Sequence, residues 1–203
     1  MPVDAQPPAL VPDETYEGGA WSGGVLEDVD AEDATFLECT FTDLAVAEGT
    51  WERTSWRGGA LAGVRVLGGR FARSRWRGVR FERTALSGCE LLGASLRDVR
   101  FDDGMLDAVN LRGATVQDVT FSDCVLRDVD LGGAKLVDVS FAGCRIERLD
   151  LSKAALTRVD LRGATFRLAR GYDRLGGAIL DIGQVVELAP ALATQLGIDV
   201  RYP

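Results

Sequence analysis

The chain has 203 residues, 24 glycines, no histidine and a formal net charge of −8. This length is enough to bury a sizeable core. The absence of histidine removes the most common general base and metal ligand. The sequence also has no phosphate-binding glycine loop, no H-E-x-x-H and no G-x-S-x-G motif. We therefore expect no enzyme activity, no catalytic residue, no cofactor-binding residue and no metal ligand.

The N-terminal segment and the apolar content bear on cellular location. No uncharged apolar run approaches the roughly 20 residues that a membrane-spanning helix needs. No basic segment followed by an apolar run precedes the main body of the chain, so we expect no secretory signal. Residues 1–17 are proline-rich and acidic, and we expect them to form a flexible tail. These observations predict a cytoplasmic protein that does not contact a membrane.

A five-residue repeat dominates the sequence from Trp21 to Phe166. Every fifth residue is large and apolar, with one weak member at Ala31, and all eight phenylalanines and all four tryptophans lie on this frame. The residue two places earlier is always uncharged, and almost always small. Neither an α-helix, with a period of 3.6, nor a strand, with a period of 2, keeps every fifth residue on one side. Such regular repetition indicates a solenoid.

A twenty-residue period lies on top of the five-residue one. Phenylalanine recurs at positions 81, 101, 121 and 141, and valine at 79, 99, 119, 139 and 159. Four repeats therefore complete one coil, so the backbone turns by about a right angle per repeat. Residues twenty apart then stack in columns, and parallel-strand hydrogen bonds between coils satisfy the backbone polar groups.

Two parts of the sequence carry a family resemblance: the segment GATVQDVTFSDCVLRDVDLGGAKL, and LRGAT, which is present at 111–115 and again at 161–165. They resemble the A-(D/N)-L-x-x consensus of the pentapeptide-repeat proteins. The resemblance implies an all-β fold, a right-handed quadrilateral parallel β-helix, which we expect over residues 18–180. The quinolone-resistance members of that family are thought to imitate DNA and occupy the duplex-binding groove of DNA gyrase.

After Phe166 the frame breaks, and Leu175 and Leu180, with Ala178 between them, resume it in shifted phase. We expect a bulge and a last partial coil there. Residues 181–203 predict a helix that starts with a capping box formed by Asp181 and Gln184. Pro190 is expected to kink or split this helix.

One apolar face is expected on the C-terminal helix, and it has two interpretations. It either closes the open end of the core or forms a homodimer interface, as the family resemblance implies. The residues of this face are Ile182, Val185, Val186, Ala189, Leu192, Ala193 and Leu196. Beyond the helix, Ile198, Val200 and Tyr202 alternate like a short final strand.

Charge is distributed unevenly along the repeat. Residues 1–50 carry twelve acidic residues and no lysine or arginine, whereas residues 51–83 carry nine arginines and two glutamates. Because residues twenty apart stack, seven arginines form like-charged columns, which we call the arginine belt. Either the acidic first 50 residues neutralise this belt, or it docks an acidic partner or a phosphate backbone. The belt consists of Arg53, Arg57, Arg73, Arg77, Arg80, Arg97 and Arg100.

Acidic residues form columns of their own in the later coils. Like charges that face each other across a strand ladder cost stability, so these columns require either local compensation or a partner. Arg97, Arg127 and Arg148 are the candidates for compensation. A further column of Asp107, Arg127, Glu147 and Arg167 alternates in sign. The acidic columns are Asp98, Asp118 and Asp138; Asp103 and Asp123; and Asp130 and Asp150.

The four cysteines, Cys39, Cys89, Cys124 and Cys144, all occupy the small inward position of the repeat. We expect buried free thiols, since a reducing cytoplasm disfavours disulfides. Cys124 and Cys144 are expected to stack one coil apart, close enough in principle for a disulfide.

Two functions follow from the sequence. The family resemblance implies a non-enzymatic DNA mimic that inhibits or protects a type II topoisomerase such as DNA gyrase. The alternative is a rigid scaffold for another protein, which uses the acidic columns and the arginine belt as a polarised surface. We expect no direct nucleic-acid binding, because the tryptophans lie on inward positions and cannot stack on bases.

Overall fold

The computed structural model describes residues 9–201 and contains a parallel β-solenoid of about eight turns followed by one α-helix. The predicted fold class is therefore confirmed. Each strand pairs in parallel with the strands one coil before and one coil after it, and partner residues are twenty apart through most of the rod. Residues 1–8 of the predicted N-terminal tail and Tyr202 of the predicted last strand lie outside the described residues. The last three residues of that tail, Thr15–Glu17, form a strand that pairs with Thr35–Leu37, so the coils begin before residue 18.

The strands are short in the first coils and longer in the later ones. In chain order they are β1 Thr15–Glu17, β2 Ala20–Ser22, β3 Val25–Glu27, β4 Thr35–Leu37, β5 Thr40–Thr42, β6 Ala45–Ala47, β7 Ser55–Arg57, β8 Ala60–Ala62, β9 Arg65–Leu67, β10 Arg75–Arg77, β11 Arg80–Glu82, β12 Ala85–Ser87, β13 Ser95–Asp102, β14 Met105–Asp107, β15 Thr115–Ser122, β16 Val125–Arg127, β17 Val129–Asp130, β18 Lys135–Ala142, β19 Arg145–Asp150, β20 Ala155–Asp160, β21 Thr165–Arg170 and β22 Ala178–Ile179. A 3₁₀ helix spans Tyr172–Arg174, and α1 spans Ile182–Gln195.

Four sides make up each coil. Side 1 contains β1, β4, β7 and β10, and side 2 contains β2, β5, β8 and β11; the long strands β13, β15 and β18 run across both. Side 3 contains β3, β6, β9, β12, β14, β16, β19 and β21. Side 4 is held largely by single bridges between coils, such as Asp30 to Thr50 and Arg70 to Glu90. We call the turn between sides 1 and 2 the front corner.

Stacked aromatic rings fill much of the core. On side 1 the rings of Phe36, Trp56 and Trp76 stack with centroids 4.0 and 4.5 Å apart. On side 2 four phenylalanines stack at 4.4, 4.7 and 4.9 Å. These spacings match the distance between neighbouring strands, because the period of twenty residues places the same ring on the same side of each coil. The four phenylalanines are Phe81, Phe101, Phe121 and Phe141.

The buried indole groups of side 1 have polar partners in the small inward position. Trp56 Nε1 donates to Thr54 Oγ1 at 3.0 Å, and Trp76 Nε1 donates to Ser74 Oγ at 2.8 Å. A polar residue at these two positions therefore satisfies an indole N–H that burial would otherwise leave without a partner. This explains why hydroxyl residues replace alanine in the two coils that carry stacked tryptophans.

Each coil turns its corners with residues in the left-handed backbone region. The residue two places after each large apolar one has a positive φ at many corners, and it is mostly glycine, aspartate, glutamate or arginine, with Ala108 and Lys153 as further cases. Aspartate tolerates this conformation better than most residues because its short polar side chain bonds locally. Asp98, Asp118 and Asp138 have φ values of 52°, 54° and 54°. The aspartate columns thus have a conformational cause that the sequence pattern alone does not reveal.

The repeat slips after Phe166, as the break in the frame predicts. The pairing of β19 with β21 contains register shifts after Ile146 and again after Leu149. In the next segment Ala178 faces Val159, nineteen residues away instead of twenty. One residue fewer in this coil moves the chain out of the square path, and α1 follows directly.

Candidate functional site

The arginine belt lies mainly on sides 1 and 2 of coils three to five. Arg77 is the direct strand neighbour of Arg57 on one side and Arg97 on the other. Arg80 faces Arg100 in the same way on side 2. Arg53 and Arg73 lie elsewhere, in turns with φ of 56° and 57° that follow side 4. The structure therefore separates these two from the other five belt residues.

A groove of about 810 Å³ runs over side 1 and the front corner. Arg57, Arg77, Arg80 and Arg97 line it, and so does Arg75, which is not one of the predicted belt residues. Arg75 and Arg77 both point outward from β10 and are exposed. Arg75 lies two residues before the belt residue Arg77, and residues two apart on a strand point to the same side. This spacing is the sequence signal that could have identified Arg75.

Glycine forms the floor of this groove at the front corner. Gly58 and Gly78 have φ of 67° and line the groove. Because glycine has no side chain, neither residue covers its own backbone. The carboxylate of Glu38 lies over Gly58, since a Cβ there would be 2.0 Å from Glu38 Oε1. The equivalent place over Gly78 is open, because the nearest atom to a Cβ would be Gly58 N at 3.8 Å.

The acidic first 50 residues neutralise only part of the belt. Arg53 forms ion pairs with Glu32 and Asp33, and the hydrogen bond from Arg53 lowers the pKa of Asp33. Arg80 lies 4.0 Å from Glu82 of its own strand. Within residues 9–201, no carboxylate lies within 4.0 Å of the four remaining guanidinium groups of the groove. These groups belong to Arg57, Arg75, Arg77 and Arg97.

The acidic columns are paired in part, and by other arginines than the three expected. Arg158 donates two hydrogen bonds of 2.5 Å to Asp138, which lowers the pKa of that carboxyl group. Arg112 pairs with Asp130 at 3.0 Å, and Arg170 lies 4.0 Å from Asp150.

Two of the expected compensating arginines have other partners. Arg127 pairs with Glu147 at 3.3 Å, and Arg148 pairs with Asp128 at 3.0 Å, so neither reaches an acidic column. Arg97 lines the groove instead. Arg127 and Arg148 each pair with a carboxylate twenty residues away in a neighbouring coil, and Arg97 has no carboxylate within 4.0 Å among residues 9–201.

Among the residues of the acidic columns, four aspartates have no ion pair in the described part of the chain. They occupy the front corner and the next corner of coils five and six, and they are Asp98, Asp103, Asp118 and Asp123. The front corner consequently changes sign along the rod. It carries the arginines around Gly58 and Gly78, and then it carries Asp98 and Asp118 one and two coils further on.

The helix α1 contacts the last coil through a face that differs from the predicted one. Asp181 and Gln184 form the predicted capping box. Gln184 and Leu188 are buried, and Gln184 Nε2 donates to the backbone oxygens of Leu161 at 2.6 Å and Ala164 at 2.8 Å. The helix runs continuously through Pro190, so of the two expected effects, a kink or a split, the split does not occur.

The apolar residues predicted as one helix face are largely exposed. Ile182 is 80 % exposed, Val186 65 % and Leu196 77 %. Val185 and Ala189 are also exposed, whereas Leu192 and Ala193 are half-buried. The last coil needs hydrogen-bond donors for its edge oxygens, and a glutamine meets this need better than an apolar side chain does. The predicted face is therefore not the face that closes the core.

The comparisons with known proteins identify the repeat. A family model described as a pentapeptide repeat region matches residues 74–151 and 94–170. The chain is a pentapeptide-repeat protein. No protein of curated function matches this pentapeptide-repeat protein.

Solved structures of other pentapeptide-repeat proteins resemble it at low identity. Full-length QnrB1, a plasmid-mediated fluoroquinolone resistance protein, is 16% identical over 94% of this chain and 98% of its own, with a TM-score of 0.40. Rfr23 from the cyanobacterium Cyanothece 51142 is 16% identical over 54% and 67%, with a TM-score of 0.40. HetL from Nostoc sp. strain PCC 7120, involved in heterocyst differentiation regulation, is 16% identical over 85% and 91%, with a TM-score of 0.34. At these values the likeness carries no argument about what this pentapeptide-repeat protein binds.

The remaining chemistry of this pentapeptide-repeat protein is limited. All four cysteines are free and buried, and burial raises the pKa of the Cys89 thiol to about 11. A thiol with so high a pKa is a poor nucleophile at neutral pH. Residues 9–201 contain no group of three or more acidic or cysteine side chains placed to hold a metal ion. In the same part of the chain, no helix combines the length and apolar character that crossing a membrane requires.

Proposed function

We propose that this pentapeptide-repeat protein is a non-enzymatic binding protein, a rigid rod that presents a fixed pattern of positive and negative charge to a protein partner. The column of Arg57, Arg77 and Arg97 carries this proposal. These guanidinium groups stack one strand apart and have no carboxylate partner among residues 9–201, although the chain has a net charge of −8. The chain has eight more acidic than basic residues, so few sequence changes would be needed to place a carboxylate beside each of these three guanidinium groups.

The solenoid supports this proposal because it fixes side-chain positions. Most strands hydrogen-bond to both neighbouring coils, and the central residue of almost every repeat is buried. Charged groups on such a surface lose little backbone freedom when a partner binds, which lowers the entropic cost of association. The four free thiols further favour the cytoplasm as the location, because they persist there in reduced form.

Partner capture with three baits tests the proposal. The baits are the wild type, a variant with Arg57, Arg77 and Arg97 changed to Gln, and a variant with Asp98, Asp103, Asp118 and Asp123 changed to Asn. We expect at least one protein that the wild type retains and that one folded variant loses while the other keeps it. Identical protein sets on all three baits would refute a charge-dependent scaffold.

Imitation of DNA toward a type II topoisomerase such as DNA gyrase is the second candidate. The four unpaired aspartates of the acidic columns in coils five and six favour it, since they project fixed negative charge from two adjacent corners. Two observations favour the scaffold instead: the aspartates have a backbone reason to be in these turns, and the basic groove interrupts the acidic surface.

A supercoiling assay separates the two candidates. Purified protein is titrated into gyrase reactions with and without a quinolone, beside the variant with Asp98, Asp103, Asp118 and Asp123 changed to Asn. A matched control changes Glu27, Asp28, Glu48 and Asp107 to amides, which removes the same charge from side 3. Inhibition or protection that only the first variant loses supports mimicry. Absence of any effect of the wild type at tens of micromolar contradicts it.

The exposed residues of α1 support a homodimer as part of this proposal. Ile182, Val186 and Leu196 present large apolar side chains at the end of the rod, and a second copy of the same helix offers a matching surface. Sedimentation of the wild type and of an Ile182→Asp, Val186→Asp variant tests this. We expect a dimer that the variant converts to a monomer, and a monomeric wild type at 100 micromolar contradicts the proposal.

A further inference from the structure

We propose that the groove over β7, β10 and the start of β13 binds a short, extended acidic segment of a partner protein. This inference rests on the proposed function as a protein-binding rod, and it names the chemistry of one partner site. The segment would place its carboxylates between the guanidinium groups of Arg57, Arg75, Arg77 and Arg97 and over the backbone of Gly78.

The arrangement of positive charge in the groove is unfavourable without an anion. Arg57, Arg77 and Arg97 are direct neighbours across a parallel ladder, and like charges in this relation destabilise a sheet. Arg75 adds a fourth positive charge from the same strand as Arg77. Elsewhere on the rod the structure pairs stacked arginines with acids, as in the pair of Arg158 with Asp138. What distinguishes the groove is three successive arginines that stack directly on one another with no ion pair among residues 9–201.

The glycine floor already accommodates one carboxylate. The side chain of Glu38 reaches across to the next coil and lies over the bare backbone of Gly58. The corresponding space over Gly78, one coil further on, is open and lies among the groove arginines. A carboxylate from outside the chain can occupy this space in the way that Glu38 occupies the space before it.

The dimensions of the groove favour a peptide over a nucleic acid. The arginine column spans two strand spacings, about 10 Å, which corresponds to three or four residues of extended chain. Glu38 lies at one end and Asp98 at the other, so a longer polyanion would meet negative charge beyond the groove. Trp56 and Trp76 are buried beneath the surface, each 3% exposed, and offer no face for base stacking.

The guanidinium groups suit carboxylates in particular. Arginine forms paired, parallel hydrogen bonds to a carboxylate, and its planar group stays charged at every relevant pH. Ser55 and Ser95 flank Arg75 on the same column and line the groove. Their hydroxyl groups can donate to the backbone oxygens of an extended segment, whereas a carboxylate-only ligand would leave them unused.

Fluorescence anisotropy with a synthetic peptide tests the proposal on the full chain. The probe is a fluorescein-labelled Gly-Asp-Glu-Asp-Glu-Gly peptide, and its Asn/Gln counterpart is the uncharged control. The variants are Gly78→Asp, which fills the open space with a carboxylate of the chain itself, and the triple change of Arg57, Arg77 and Arg97 to Gln. Gly88→Asp is the matched control, since Gly88 has φ of 63° and equally open surroundings at a corner outside the groove.

We expect the wild type and Gly88→Asp to bind the acidic peptide at least about tenfold more tightly than the amide peptide, a difference of about 1.4 kcal/mol. Gly78→Asp and the triple variant should each weaken binding by about tenfold or more. Circular dichroism establishes that each variant retains the fold. Equal weakening by Gly88→Asp, or equal binding of the two peptides, overturns the proposal.

Two further ligands separate the sources of negative charge. If a 20-base-pair DNA duplex or inorganic tripolyphosphate binds more tightly than the peptide, and the triple variant loses that binding, the site is a phosphate site and the proposal is wrong. If the peptide does not bind, the proposed function still stands as long as partner capture depends on Asp98, Asp103, Asp118 and Asp123. If the peptide does not bind and partner capture depends on neither set of charges, the scaffold function is refuted as well.

Discussion

Along the front corner, coils three to five carry arginines on strands, whereas coils five to seven carry aspartates in turns. Asp98, Asp118 and Asp138 have positive φ, and the backbone itself favours aspartate there. Arg57 and Arg77 are on regular strand positions where no backbone constraint selects arginine. A charged column is therefore stronger evidence of function where the local conformation gives no other reason for the residue.

The first prediction concerns the stacked aromatic core, which lies beneath both the arginines of the groove and the aspartates of the front corner. Trp76→Ala removes a stacked ring beneath the groove, and Phe121→Ala removes one beneath the acidic corner. Both should lower stability by about 3–5 kcal/mol, because large-to-small changes leave cavities in a packed core. Chemical denaturation followed by tyrosine and tryptophan fluorescence measures this. If Phe121→Ala cost less than 1 kcal/mol, the two halves would not be held by equivalent cores.

The second prediction contrasts two glycines of the groove. A Cβ at Gly59 would lie 2.0 Å from the backbone oxygen of Cys39, and φ is 81°. Gly59→Ala should therefore destabilise the rod by about 1–3 kcal/mol or more. Gly78→Asp should cost much less, because its surroundings are open and aspartate tolerates this φ. Thermal melts of the two variants make the comparison, and equal losses would contradict the open site over Gly78.

The third prediction tests the cost of the unpaired column. Changing Arg57, Arg77 and Arg97 to Gln should raise stability by roughly 0.2–1 kcal/mol at low salt, because it removes cross-strand repulsion. The gain should shrink at high salt as screening increases. Arg65, Arg83 and Arg167 lie outside the groove, and their change to Gln provides a control of equal charge. A loss of stability in the groove variant would mean that these arginines support the fold.

The smallest expected effect is a pH dependence in the paired part of the acidic column. The hydrogen bonds from Arg158 hold the pKa of Asp138 below its ordinary value of 3.8. A lowered folded-state pKa contributes stability that is fully present above pH 3.8 and is lost as the pH falls through the folded-state value. Asp138→Asn should therefore flatten the pH dependence of the melting temperature below pH 4. Arg158→Gln should have the same effect, and a wild-type slope in either variant contradicts it.

Much of the fold could be predicted from the sequence, because one large apolar residue in five permits few backbone paths. The coil length, the inward position of Trp56 and the slip after Phe166 all follow from spacing. The pairing of Asp138 with Arg158 also follows from stacking, since the two residues are twenty apart in one column.

The details of the surface were less accessible. Arg75 was missed because it stacks between Ser55 and Ser95, so no arginine lies twenty residues before or after it. The contact face of α1 was missed because it depends on hydrogen bonds to the backbone oxygens of Leu161 and Ala164, which apolar periodicity cannot detect. Positive φ at the corners was missed because aspartate, arginine and glycine share these turns, so no single residue type marks them.

Gln184 also has a consequence for the behaviour of the protein at high concentration. A solenoid ends in an open row of backbone groups, and such a row can template the first coil of another molecule. The side-chain amide of Gln184 donates to the oxygen of Ala164, where a backbone N–H of a following coil would otherwise bind, and to the oxygen of Leu161, which also accepts from Ala164 N. The helix thus covers this part of the edge chemically as well as sterically, which disfavours end-to-end joining of rods into fibres.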